Sequence, residues 1–75
     1  MDERVIRIAA ETMKTDIATA TTNCKKISEI DAWYFWNPIR GGISVIVASN
    51  YEKLGATSAV SYEKHLRAFL DGKRN

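Results

Sequence analysis

The chain has 75 residues, 45% of them hydrophobic and 27% charged, and its 11 Lys and Arg against 9 Asp and Glu leave a net charge of +2. This length holds one domain, residues 1–75, of a size that buries roughly 60% of its unfolded surface; the composition argues against disorder, and the apolar runs fall short of the roughly 18 residues a membrane span needs. The only adjacent basic pairs are Lys25 with Lys26 and Lys73 with Arg74, which is not the clustered footprint of a nucleic-acid-binding surface, and the single cysteine, Cys24, excludes an intrachain disulfide framework and suggests a reducing compartment.

The first residues, MDERVIRIAAE, place two acids ahead of the first Arg and lack a long apolar stretch. A secretory signal is therefore not expected, and a cytoplasmic location is. Val5, Ile6, Ala9, Ala10, Met13, Ile17 and Ala20 recur at spacings of three and four, which predicts one amphipathic helix from about Glu3 to about Ala20. Thr12, Thr15, Thr19, Thr21 and Thr22 are β-branched and weaken its second half. Thr21 to Lys26 is polar and reads as a connection.

Trp33, Tyr34, Phe35 and Trp36 suit a pleated, half-buried strand. Asn37 and Pro38 end it, because Pro has no N–H for the ladder and restricts the residue before it. Asn37 to Gly42 then reads as a hairpin loop, with Gly41 and Gly42 able to take positive φ. The return strand is Ile43 to Val47, ending near Ala48. After a short turn at Asn50 to Lys53, Leu54 to Val60 reads as a third strand of small residues that let another backbone approach closely. Ser61 is the expected N-cap of a last helix over Tyr62 to Asp71, with Leu66, Phe69 and Leu70 as its apolar stripe, Val60 ahead of the cap, and Gly72 as the stop. The expected fold is α+β, an αβββα order with a three-stranded antiparallel meander and two flanking helices.

Alternation along a strand sends Trp33 and Phe35 to one face and Tyr34 and Trp36 to the other. Ile43, Val45 and Val47 oppose Ser44 and Ile46 in the same way. Both faces of the hairpin are thus apolar and need cover on two sides, from helices, a second copy or a partner protein. An apolar patch of a few hundred Å² is expected to remain around the aromatics.

The loop Asn37 to Gly42 combines Gly amides with Arg40, a set that suits an anion, but it lacks a phosphate-loop Lys and opens no helix, so it reads as a hairpin turn with a solvated Arg40. Cys24 and His65 are the only obvious nucleophile and base, and neither sits in a catalytic pattern. His65, one residue before Leu66, is expected at the surface or boundary. One His and one Cys do not make a metal centre, and no cofactor motif is present. Trp33 and Trp36 have the chemistry of base-stacking platforms, without interleaved basic residues. Trp and Tyr are enriched at interface centres, so Trp33, Tyr34, Trp36 and Arg40 are the candidate partner-binding residues.

The run WYF in a strand, then IVA with a turn, the small-residue segment GATSAV and the capped helix SYEKHLRAFL together resemble small bacterial immunity-protein-like domains associated with polymorphic toxins. The resemblance spans Trp33 to Leu70. It implies a helix, meander and helix architecture and a non-enzymatic inhibitor that neutralises a toxin by covering it; it transfers no individual residue role. The expected function is a small protein-binding module of bacterial or phage type, immunity-like, acting without catalysis, metal or cofactor on a partner protein or as a homodimer through the sheet. The competing expectation is a nucleic-acid or anion-binding accessory protein using Arg40, Lys73 and Arg74.

Overall fold

The Asp2 carboxylate accepts the Arg4 N–H at 2.8 Å and so caps the first helix, α1 (Glu3–Met13), of the computed structural model, which describes residues 2–38, 42–57 and 59–75. The predicted single helix to Ala20 is instead two. Lys14 adopts the left-handed conformation at φ 56°, ψ 48°, and its N–H closes on the carbonyls of Ala10 and Glu11. Asp16 then starts α2 (Ile17–Thr22) by accepting the Thr19 N–H at 2.7 Å. A short polar residue that can cap wins over continued helical periodicity here.

Four strands follow, β1 (Cys24–Ile27), β2 (Ala32–Trp36), β3 (Ile43–Ala48) and β4 (Lys53–Thr57), in the spatial order β1-β2-β3-β4 with every pair antiparallel. The α+β class and the meander are as expected, but among the described residues the sheet has four strands rather than three and the helices number three rather than two. The additional strand, β1, falls largely within the segment expected to be a connection, because Lys25 and Lys26 hide its alternation. Both lysines stand on a sheet edge, where charge discourages pairing with another chain. The last predicted strand is shorter than expected, ending at Thr57 instead of Val60, and of its expected residues Ser58 lies outside the described ones. The Asn75 N–H bonds the Lys53 carbonyl at 3.1 Å and its side-chain oxygen accepts the Gly55 N–H at 3.2 Å, so the chain's last residue covers part of the β4 edge.

The last helix, α3 (Tyr62–Leu70), begins at the expected cap, where Ser61 Oγ accepts the Lys64 N–H at 3.3 Å, and Gly72 follows it with φ +95°. The helices lie on opposite faces of the sheet. On one side, Val5, Ala9, Ala10 and Met13 of α1 and Ala20 of α2 pack on Phe35, Val45 and Val47. On the other, Leu66 and Phe69 of α3 pack on Ile27, Ala32 and Ile46. α1 passes close over Gly55, where a Cβ would meet Thr12 Cγ2 at 3.4 Å. This three-layer arrangement answers the demand for cover on both faces. Consequently, among the described residues, the exposed large apolar side chains are Ile17, Tyr51 and Leu70 rather than the hairpin aromatics, which are half-buried or, for Phe35, fully buried. Leu70, expected to face the core, is 52% exposed.

Among the described residues no helix is long and apolar enough to cross a membrane.

Candidate functional site at the aromatic end of the sheet

Strand alternation separates the expected partner-binding residues. Trp33 packs with the α1 and α2 core, and Lys26 Nζ lies 5.6 Å from its ring centroid. Tyr34 and Trp36 project together on the α3 face, stacked with ring centroids 5.9 Å apart at 27°. Arg40 falls outside the described residues. The structure therefore brings Tyr34 and Trp36 together and holds Trp33 on the opposite face.

Two residues on α3 complete the cluster. Tyr62, the first residue of the helix, meets Tyr34 edge-on at 4.8 Å, and His65 does so at 5.7 Å, both favourable quadrupolar geometries. Lys25, opposite Tyr34 in the β1-β2 register, sets its Nζ 4.0 Å from the Tyr62 centroid, a cation–π contact. Burial pushes the Tyr62 hydroxyl pKa up, with Glu29 and Tyr34 adding to it, so the ring stays neutral at physiological pH.

Opposite Trp36 on β3 is Ser44, whose β4 partner is Ala56. Small side chains beside a Trp leave space at this corner of the sheet. A cleft of about 120 Å³ results, lined by Tyr34, Trp36, Asn37, Gly42, Ile43, Ser44 and Val60. Asn37 is anchored across the sheet end, donating from Nδ2 to the Met13 carbonyl at 3.2 Å. The cleft is of mixed polarity, with the Tyr34 and Trp36 rings, Ile43 and Val60 beside the polar groups of Asn37 and Ser44.

His65 is 1% exposed, which overturns its expected boundary position. Its Nε2 lies 2.6 Å from the Leu54 carbonyl oxygen, which can only accept, so the proton is on Nε2. Nδ1 is left as the acceptor for the Ser44 hydroxyl at 3.4 Å. Burial lowers the His65 pKa below its ordinary 6.5, with the Leu54 hydrogen bond opposing in part. Ser44 is itself only 5% exposed. The pair thus fastens α3 to β3 and β4, and it does not present a nucleophile and base to solvent. Among the described residues, no buried side-chain nitrogen or oxygen lacks a hydrogen-bond partner.

Cys24 sits on the other face, against the α1 and α2 core, where burial raises its thiol pKa. The two residues singled out for nucleophilic chemistry are thus separated by the sheet. No group of three or more His, Cys, Asp and Glu that could hold a metal occurs among the described residues.

Comparison of the chain with protein-family models, curated proteins and solved structures found no match. The functional reading therefore rests on this geometry. Sequence reasoning reached Tyr34 and Trp36 but missed Tyr62, His65 and Lys25. The signal for the first two was available, since Tyr62, His65, Leu66 and Phe69 follow the i, i+3, i+4, i+7 spacing of one helix face. Lys25 carried no comparable signal.

Proposed function

We propose that the chain is a small, non-enzymatic protein-binding module, immunity-like and of bacterial or phage type, that receives its partner on the aromatic end of the sheet. The observation that carries this reading is the Tyr34, Trp36 and Tyr62 cluster beside a cleft of about 120 Å³. Rigid aromatics around a concavity that takes one partner side chain are the composition of an interface centre. The immunity-domain resemblance over Trp33 to Leu70 points the same way. Lys25 at the rim favours an acidic partner surface, and truncating Trp36 is expected to weaken binding by at least tenfold.

A second reading, single-stranded nucleic acid, is favoured by one specific observation. Lys25 stands over Tyr62 on the same face as Tyr34 and Trp36, a base set among aromatics that the sequence did not reveal. The experiment is a pull-down with the wild-type chain and a Trp36→Ala control, followed by a salt titration of what is retained. A retained protein that Trp36→Ala loses, with shallow salt dependence, supports the leading reading. Retained nucleic acid with a steep loss of affinity in salt replaces it by the second. Identical retention by both chains contradicts the placement of the site.

A further inference from the structure

The two edges of the sheet are protected by different means. β1 carries Lys25 and Lys26, whereas on β4 Lys53 stands only at the start and Leu54 to Thr57 are uncharged. An uncharged edge is a template for a strand of another chain. The Ala48 N–H bonds the Glu52 carbonyl at 2.9 Å, so alternation along β4 turns the main-chain groups of Leu54 and Ala56 toward β3 and those of Lys53, Gly55 and Thr57 outward. On this outward row the Lys53 carbonyl accepts the Asn75 N–H at 3.1 Å, and the Gly55 N–H donates to Asn75 Oδ1 at 3.2 Å. Asn75 thus makes the kind of bonds that a docked strand makes, with its side-chain oxygen in the place of a main-chain carbonyl.

The preceding residues deliver Asn75 to that edge. Gly72, at φ +95°, turns the chain back from α3, with its N–H on the Phe69 carbonyl at 3.0 Å and the Lys73 N–H on that of Ala68 at 3.1 Å. Arg74 then ties the helix end to the sheet. Its Nε donates to Glu52 Oε1 at 2.8 Å and its Nη1 to the Phe69 carbonyl at 2.7 Å, while the guanidinium lies 3.6 Å from the Phe69 ring centroid. Phe69 is a core residue, so this tie rests on a fixed base. The Glu52 carboxylate and the carbonyls at the negative end of α3 both favour the cation. We propose that residues 72–75 form a strap, latched by Arg74, that closes the β4 edge against pairing with β4 of a second copy. Pairing of this edge with itself across a two-fold axis is antiparallel, and the outward groups of Lys53 and Gly55 that it draws on are those Asn75 occupies.

Amide hydrogen exchange and sedimentation equilibrium test the two halves of the proposal. In Asn75→Ala and in Arg74→Gln the Gly55 N–H should exchange at least about tenfold faster than in the wild type. The Ile46 N–H, on the inner side of β4, should keep its rate in Asn75→Ala, which separates opening of the edge from loss of global stability. The chain carrying both substitutions should then self-associate more strongly than the wild type between about 20 μM and about 1 mM. Adding Thr57→Lys, a charge on the opened edge, should return it to the wild-type mass profile. Gly55 exchange unchanged in both single variants, a double variant that associates no more than the wild type, or association that Thr57→Lys leaves intact would each overturn the proposal.

Discussion

His65 is held neutral between a carbonyl and a hydroxyl, with its pKa lowered by burial, and the unfolded chain titrates near 6.5. Below that pH the unfolded state binds a proton that the folded state refuses. The contribution to stability is therefore fully present well above pH 6.5 and falls as the pH drops through 6.5 toward the lowered folded pKa. Urea denaturation between about pH 5 and 6.5, above most carboxylate titration, should show stability falling with pH in the wild type and lose that fall in His65→Gln. Tyr51 offers a second local test. Its hydroxyl donates to Asp2 Oδ2 at 2.5 Å, and this bond is the leading cause of the lowered Asp2 pKa, followed by the Arg4 N–H. In Tyr51→Phe, an NMR titration should find the Asp2 pKa moved up toward 3.8, and an unchanged value would refute the coupling. Neither contact was legible in sequence, because both join residues distant in the chain: His65 to Leu54 and Ser44, and Tyr51 to Asp2.

Among the elements, α3 was the most legible because its signals are local. Ser61, the Leu66 and Phe69 spacing and Gly72 each act within one turn, and the structure uses all of them. Ser61→Ala should cost about 1 kcal/mol in thermal or urea unfolding, since the Lys64 N–H loses its acceptor. The break between α1 and α2 was hidden, since the apolar period runs on through it to Ala20. Lys14 there sits at positive φ, a region that costs a side chain energy and glycine little. Lys14→Gly should leave stability unchanged or raise it by up to about 1 kcal/mol, whereas the same change in mid-helix, at Arg7, should lower it by about 1. The strand β1 was invisible for another reason. Four residues with two lysines carry no strand preference of their own, and their extended form comes from pairing with β2.

At the scale of the molecule, the aromatic strand accounts for the layering. Side chains that alternate between two apolar faces need cover on both, and α1 with α2 on one side and α3 on the other supply it. Phe35 and Phe69 hold the two layers, one in each cluster. Phe35→Ala and Phe69→Ala should each cost about 3 to 5 kcal/mol, enough to unfold much of a domain of this size, and an unchanged melting temperature for either would contradict the packing described. The need for two layers was legible in the period of two; which helix takes which face was not, because both helices carry a suitable apolar stripe. That assignment also decides the site, since it sets Trp36 beside the cleft and Trp33 against the α1 and α2 core. The most direct measurement follows the two indole N–H signals by NMR while a partner retained by the wild-type chain is added. The expected result is a shift or broadening of the Trp36 indole with the Trp33 indole unmoved. Movement of Trp33 alone would contradict a partner site at the aromatic end of the sheet.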